Sequence, residues 1–172
     1  MHEYDPASDR WQRPAPLPTT RGALAAAVLD GKIHAVGGIG WPGRNAPAHE
    51  VYDPAANRWT ELAYVPTARD HLALAALEGR LYAVGGRVNG DYSRNLGLNE
   101  AYDPASNRWE HRAPMPTARS GIAAAVLEGR IFQRPDAWPT HWFPGCHLDR
   151  GASLCARKLV LSLIHISEPT RP

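Results

Sequence analysis

The stretch ALAAAVLDGKIHAVGG, residues 23–38, carries the pattern on which the predicted fold is based. It holds two short apolar runs, which are joined by Asp30-Gly31 and followed by the pair Gly37-Gly38. Because glycine adopts positive φ without steric cost, Asp30-Gly31 predicts a two-residue hairpin turn. The runs are too short, and glycine and proline too frequent, for a helix. We therefore expect two antiparallel strands, Ala23–Leu29 and Ile33–Val36, the first buried on both faces because it is small and apolar.

This pattern occurs three times along the chain. The second copy is LALAALEGRLYAVGG at 72–86, and the third is IAAAVLEGRIF at 122–132, where the expected glycine pair is missing. Each unit also carries Tyr-Asp-Pro, Arg-Trp and Pro-Thr-x-Arg motifs, whose recurring residues are Tyr4, Tyr52, Tyr102, Trp11, Trp59, Trp109, Arg21, Arg69 and Arg119. Self-similarity at a period of about 50 residues indicates a repeat architecture, in which each unit is one structural module.

The remainder of each unit predicts two further strands. After the glycine pair and a polar loop, His49–Tyr52 is the third strand. Asp53-Pro54 then opens a turn, because proline fixes φ and the aspartate can accept hydrogen bonds from nearby amides. Arg58–Leu62 is the fourth strand. Each complete unit is therefore predicted to be a four-stranded antiparallel module.

A unit of about 50 residues with a glycine pair, then Tyr-Asp-Pro and then a spaced tryptophan, resembles the kelch repeat. The resemblance covers residues 1–132. It implies that each unit forms one four-stranded blade of a β-propeller. It also implies that the recurring Tyr and Trp side chains pack between blades, and that long loops at one face form the binding surface.

The predicted fold class is all-β, an incomplete kelch-type β-propeller with two complete four-stranded blades, two partial blades and an irregular C-terminal tail. The predicted boundaries are a partial blade at 1–18, complete blades at 19–66 and 67–116, a partial blade at 117–132 and the tail at 133–172. A closed propeller needs about four to eight blades. We therefore expect this sequence to be a fragment of a propeller.

The tail differs from the repeats in composition. It holds both cysteines, Cys146 and Cys155, at a spacing that suits neither a disulfide framework nor a metal site. Residues 1–132 carry fourteen basic and fourteen acidic side chains, so the net charge of +2 belongs to the tail. We interpret the tail as frame-shifted or adapter-derived, because Leu161–Arg171 resembles a translated sequencing adapter. A net charge this small favours neither a nucleic-acid nor a membrane partner.

Residues that differ between units are the better candidates for function, because packing explains those that recur. They cluster in the loops after the glycine pairs, at 39–45 and 87–95. Aromatic residues and arginine anchor interfaces, and surface loops on a rigid scaffold carry binding residues. The candidate partner-binding residues are Trp41, Arg44, Arg87, Asn89, Asp91, Tyr92 and Arg94. In some kelch domains an arginine just after the glycine pair recognises an acidic peptide, and Arg87 resembles that position.

Two other residue types have structural interpretations. The recurring arginines either face a central channel or bond carbonyls and carboxylates between blades, and we favour the second. Three histidines, His34, His49 and His71, lie on strands or at strand edges, where a histidine is usually packed or half-exposed. No Ser-His-Asp spacing and no carboxylate pair stands out in the sequence.

The sequence therefore predicts a non-catalytic scaffold that binds a protein or peptide partner, with carbohydrate as a second candidate ligand, and with no cofactor and no metal. One alternative is a piece of a kelch-type propeller enzyme, such as a galactose-oxidase-like sugar oxidase or a sialic-acid epimerase, with catalytic residues in other blades. Another is an adaptor in which an upstream dimerisation domain joins the propeller. The fold alone does not choose among these classes.

Overall fold

The computed structural model describes residues 1–133, which form fourteen β-strands. The described residues contain no helix long and apolar enough to cross a membrane. The strands are β1 (Glu3–Asp5), β2 (Arg10–Gln12), β3 (Ala25–Leu29), β4 (Lys32–Val36), β5 (Ile39–Gly40), β6 (Arg44–Asn45), β7 (His49–Asp53), β8 (Arg58–Glu61), β9 (Ala73–Leu77), β10 (Arg80–Val84), β11 (Asn99–Asp103), β12 (Arg108–His111), β13 (Ala124–Leu127) and β14 (Arg130–Gln133).

Two four-stranded antiparallel sheets form the centre of the described chain. The first blade has the strand order β3-β4-β7-β8, and the second blade has the order β9-β10-β11-β12. A leading hairpin, β1–β2, precedes them, a trailing hairpin, β13–β14, follows them, and β5–β6 is a small hairpin within the first loop. The all-β class and the incomplete propeller architecture are thereby confirmed. The exact blade boundaries stay predictions.

The hairpin turns follow from their sequences. Asp30 and Gly31 both adopt positive φ, at 50° and 71°, which is the backbone of a type I′ turn. This turn matches the right-handed twist of the two strands that it joins, β3 and β4. The acidic-glycine pairs Glu78-Gly79 and Glu128-Gly129 repeat the same geometry. The predicted two-residue turn is confirmed in all three units.

The first strand of the first blade begins later than the sequence predicts. Ala23 adopts a φ of +52°, which is outside the strand region, so β3 begins at Ala25. The equivalent His71 also has positive φ, and its amide donates to the Ala23 carbonyl at 2.9 Å. In turn, the Gly121 amide donates to the His71 carbonyl at 2.8 Å. These residues link successive units through their backbones before each inner strand starts.

Burial of the inner strands depends on their neighbours. The second-blade strand β9 packs against both β3 and β13, and three of its five residues are buried. By contrast, Ala26 and Val28 on β3 are exposed, Val28 by 62%. The expectation that Ala23–Leu29 is buried on both faces is therefore wrong for β3. Strand β3 packs against one face of β9. Within the described residues, no inner strand packs in the same way against the other face of β3.

The glycine pairs form the joint between blades. A Cβ added at Gly37 would lie 2.7 Å from the Arg69 carbonyl oxygen, which is closer than real side chains approach. That carbonyl accepts a hydrogen bond from the Gly38 amide at 2.9 Å. Gly85 and Gly86 make the same contacts with the Arg119 carbonyl. Glycine is required here because the next unit's backbone comes this close.

Two of the recurring tryptophans, Trp59 and Trp109, reach the preceding unit, as the kelch resemblance implies. Trp109 of the second blade donates from Nε1 to the Ala63 carbonyl at 2.8 Å. Tyr102 packs edge-on against His49 of the first blade, with ring centroids 4.5 Å apart. Asn107, at the β11–β12 turn, accepts the Ala63 amide at 3.0 Å. The predicted packing of Tyr and Trp between blades is confirmed for this pair of blades.

Two of the recurring arginines, Arg21 and Arg69, bond within their own units, so the expectation of bonds between blades is wrong for these two side chains. Arg69 donates from Nε to the Gly85 carbonyl at 2.7 Å and forms an ion pair with Glu100. Neither of those two charged side chains has exposed surface. In the first blade, Arg21 repeats this arrangement with Glu50. Arg21 and Arg69 thus each join the start of their unit to the second and third strands of the same blade.

The interpretation of the tail lies almost wholly outside the described residues, including Cys146, Cys155 and the adapter-like segment Leu161–Arg171. Only Gln133 is described, and it pairs with Ala124 as the last residue of β14.

Candidate binding surface

The two loops that follow the glycine pairs are bonded to each other. Asn45 in the first loop donates its amide to Asn89 Oδ1 at 3.0 Å. Asn89 in the second loop donates its amide to Asn45 Oδ1 at 2.6 Å. This reciprocal pair of hydrogen bonds joins segments from different blades. We call the two segments, 39–45 and 87–95, the loop surface.

Asp70 lies beneath the loop surface, just before β9, and its side chain has no exposed area. Its Oδ2 accepts hydrogen bonds from Asn45 Nδ2 at 2.6 Å and from the Gly90 amide at 2.8 Å. Its Oδ1 accepts from His71 Nδ1 at 2.5 Å and from Arg87 Nε at 3.2 Å. One buried carboxylate therefore holds both loops and the start of β9 together.

The environment of Asp70 favours its charged form. Burial opposes ionisation and is the largest single influence on this carboxyl group, but the hydrogen bonds that it accepts outweigh burial. Their donors are Asn45, His71, Gly90 and Arg87. The pKa of Asp70 is therefore held below its ordinary value, and the carboxylate is ionised at neutral pH.

Arg87 connects this buried carboxylate to an exposed aromatic ring. Its own residue is only 4% exposed, and its guanidinium carbon lies 3.8 Å from the centroid of the Tyr92 ring. This is cation–π geometry. Its Nη2 also lies 2.9 Å from His71 Nε2. Arg87 therefore has its charge balanced by Asp70, whereas Tyr92, 77% exposed, is held in place above it.

Polar residues of the second loop fix its backbone. Asn89 and Gly90 both have positive φ, at 53° and 74°, and form the centre of a tight turn in which the Asp91 amide donates to the Val88 carbonyl. Asp91 Oδ1 accepts the Ser93 amide at 2.8 Å and the Ser93 hydroxyl at 2.7 Å. The loop is thus ordered by its own side chains, so that its exposed groups are presented in a defined arrangement.

The predicted site residues fall into two groups. Arg87, Asn89 and Tyr92 are brought together around Asp70. The others are exposed along the two loops: Trp41, Arg44, Asp91 and Arg94. Trp41 is 97% exposed, and within residues 1–133 it has no ring contact with the Asp70 cluster.

Sequence reasoning missed Asp70, and it interpreted His71 only as a packed or half-exposed residue. Both directly follow a recurring arginine, in a segment whose repetition indicated a structural role. The signal was nevertheless present, because Asp70 stands where the neighbouring units have Gly22 and Ser120. A residue that differs between units is therefore a functional candidate even when it lies next to a recurring motif, as a residue of a variable loop is.

His34 and His49 form a buried pair away from the loop surface, at the contact between the two blades. His34 Nδ1 lies 2.9 Å from His49 Nε2, and His49 Nδ1 lies 3.2 Å from the Ala63 carbonyl. Burial first, and the neighbouring His34 second, lower the pKa of His49 to about 4. Burial also lowers the pKa of His34. Both are packed residues, as predicted, and are neutral at neutral pH.

Comparison with known proteins agrees with these repeats. Two family models, each described as Kelch motif, match residues 20–66 and 68–116, and together they cover more than half of the chain. The chain belongs to the kelch-repeat family. Both kelch matches include a glycine pair and the loop that follows it, so the loop surface is contributed by two adjacent kelch units. No curated protein matches the chain.

Among residues 1–133, no group of three or more His, Cys, Asp or Glu side chains is placed to hold a metal ion. The Asp70 cluster instead combines one carboxylate with Arg87, His71 and two asparagine side chains. Such a cluster stabilises loop positions and presents polar and aromatic groups at the surface.

Proposed function

We propose that this kelch-repeat scaffold binds a protein or peptide partner through its loop surface. The proposal rests on two features of this surface. Hydrogen bonds hold its two loops in place, and aromatic side chains on those loops are exposed. Asp70 and the Asn45–Asn89 hydrogen bonds fix the two loops, while Tyr92 and Trp41 remain exposed. Binding to a preorganised surface avoids the entropic cost of ordering loops on association.

The charges of the loop surface favour an acidic partner. Arg44 and Arg94 are exposed, whereas the only exposed carboxylate of the two loops is Asp91. The Asp91 carboxylate is also engaged by the Ser93 amide and hydroxyl. Exposed guanidinium groups can bind a carboxylate through two parallel hydrogen bonds. We therefore propose contact of Arg44 and Arg94 with acidic side chains, and contact of Trp41 and Tyr92 with apolar or aromatic ones.

Arg87 has a different role in this proposal. Because its side chain is buried and paired with Asp70, it acts as a positioning residue that supports the Tyr92 ring. Asn89 and Asp91 likewise set the loop backbone. The direct contacts come from Trp41, Arg44, Tyr92 and Arg94.

A peptide-display selection against the full chain tests this proposal. We expect enriched peptides to combine Asp or Glu with an aromatic residue, and to lose binding to the double variant Trp41→Ala/Tyr92→Ala. The matched control is Tyr64→Ala, because Tyr64 is also an exposed tyrosine, at 52%, but lies outside both loops. Selected peptides that bind the double variant as well as the parent would refute the site. A glycan array on the same proteins distinguishes a carbohydrate ligand, which would contradict the peptide assignment.

A further inference from the structure

The second loop carries the only Asn-Gly dipeptide of the sequence, Asn89-Gly90. This dipeptide is prone to deamidation, because glycine has no Cβ to hinder its backbone nitrogen as that atom approaches the preceding side chain. Asn89 is exposed, and both residues adopt positive φ, at 53° and 74°. A reactive dipeptide thus lies in a turn of defined conformation, and the contacts of that turn decide whether the reaction can occur.

Deamidation of this dipeptide needs no reagent other than water. The Gly90 nitrogen loses its proton and forms a bond to Cγ of Asn89, while the bond from Cγ to the side-chain nitrogen breaks. That nitrogen takes up the proton and leaves as ammonia, so a cyclic imide remains. Water then adds to either imide carbonyl and opens the ring. The product is aspartate or isoaspartate, with one water consumed and one ammonia released.

Hydrogen bonds hold the groups on both sides of the bond that would form. The Gly90 amide donates to Asp70 Oδ2 at 2.8 Å. Asn89 Oδ1 accepts the Asn45 amide at 3.0 Å, and the Asn89 amide donates to Asn45 Oδ1 at 2.6 Å. Closing the ring requires rotation of both the backbone and the side chain of Asn89. These hydrogen bonds must therefore break before the Gly90 nitrogen can attack.

The Asp70 carboxylate opposes the reaction instead of assisting it. A carboxylate assists deprotonation of an amide only when it is basic enough to accept the proton. Burial raises the pKa of Asp70 most, but the hydrogen bonds that it accepts together outweigh burial and keep that pKa below its ordinary value. Loss of the Gly90 proton would also place a negative nitrogen beside a negative oxygen. Because like charges repel, the bound carboxylate makes the Gly90 nitrogen a poorer nucleophile.

We propose that Asn89 is a deamidation site that is blocked while the two loops are bonded to each other and to Asp70, and that reacts once they separate. The reaction then makes the separation permanent. Isoaspartate lengthens the main chain by one carbon, so the turn at Asn89-Gly90 cannot form again, and either product adds a carboxylate close to the buried Asp70. This inference concerns the loops themselves and does not depend on the proposed partner.

Peptide mapping by mass spectrometry tests the block. Trypsin cleaves after Arg87 and Arg94, so Asn89 is followed in the peptide 88–94, and the same peptide made synthetically gives the unrestrained rate. We expect the full chain to deamidate at least about tenfold more slowly than the peptide, because only molecules with open loops react. Equal rates in the chain and in the peptide would overturn the inference.

Three substitutions outside that peptide distinguish opening of the loops from unfolding of the whole chain. Asn45→Ala removes both side-chain hydrogen bonds of Asn45 and is expected to speed deamidation at least about fivefold. Asn95→Ala is the matched control, since Asn95 bonds Ser120 instead, and leaves the rate unchanged. Leu81→Val weakens the buried core but not the loop contacts, and also leaves it unchanged. No acceleration by Asn45→Ala, or an equal one by Leu81→Val, contradicts the block.

Hydrogen exchange of the reacted chain tests whether the loops stay apart. Ion-exchange chromatography isolates the product, because deamidation adds a negative charge. We expect the Asn45 and Gly90 amides to exchange at least about tenfold faster in the product than in the unreacted chain, since both have lost their acceptors. Unchanged exchange at these two amides would show that the loops close again and would refute the trapping.

Discussion

Asp70 and Arg87 are joined through both their backbones and their side chains. Each donates its amide to the other's carbonyl, at 3.0 and 2.9 Å, and Asp70 Oδ1 accepts Arg87 Nε at 3.2 Å. The first residue after the second glycine pair is thereby fixed to a residue in the segment that leads into β9. Because the same carboxylate also holds Asn45, the loop surface depends on one buried ion pair.

We expect Asp70→Asn to lower the free energy of unfolding by about 3–5 kcal/mol, because it leaves the buried Arg87 charge without its partner. Urea unfolding measures this loss. Asp91→Asn is the control, since Asp91 is exposed and lies in the same loop surface. An equal effect of the two substitutions, or a loss below about 1 kcal/mol for Asp70→Asn, would show that this pair does not organise the loops.

The joint between the blades predicts a contrast between two glycines. Gly37→Ala places a Cβ 2.7 Å from the Arg69 carbonyl oxygen and imposes a φ of +67° on alanine. We expect a loss of at least about 2 kcal/mol in the free energy of unfolding. At Gly22 an added Cβ meets nothing within 4 Å, so Gly22→Ala changes stability by less than about 1 kcal/mol. Similar values for the two variants in urea unfolding would contradict the close backbone approach.

Two ion pairs of the second blade differ in burial. Glu100 and its partner Arg69 have no exposed side-chain surface, whereas Glu110 and Arg112 are about half exposed. We expect Glu100→Gln to lower the free energy of unfolding by about 3–5 kcal/mol. Glu110→Gln changes it by about 0–1 kcal/mol, because solvent screens that pair. Thermal and urea unfolding of both variants check the ranking, and the reverse order would disprove the assigned role of the Arg69 pair.

The buried histidine pair predicts loss of stability in mild acid. The pKa of His49 is about 4 in the folded chain, because of burial and of His34, whereas an unfolded histidine titrates near ~6.5. The unfolded chain therefore binds protons more readily, and the free energy of unfolding falls as pH drops from about 6.5 to 4. His49→Asn copies Asn99 of the second blade and is expected to reduce this fall. Urea midpoints at pH 7 and pH 4.5 test it, and an unchanged fall in the variant contradicts it.

Local sequence predicted the strands and turns well because their determinants are local. The hairpin turn at Asp30-Gly31 depends only on two neighbouring residues that can adopt positive φ. The short apolar runs on either side of it are enough to indicate the two strands that it joins. The burial of Arg87 could not be predicted in this way, because its partner Asp70 is seventeen residues away and belongs to a different motif. The exposure of β3 likewise depends on whether another strand packs against its face. The composition of Ala25–Leu29 alone does not show this.

The ordered loop surface is proposed to bind a partner through exposed aromatic side chains. Isothermal titration of a display-selected acidic peptide into the full chain, its Tyr92→Ala variant and its Tyr64→Ala variant measures the contribution of one such ring. Loss of the Tyr92 ring is expected to weaken binding by about tenfold or more, as at other interface anchors. Loss of the Tyr64 ring leaves the affinity unchanged. Equal affinities for all three proteins would contradict the assignment of the loop surface as the binding site.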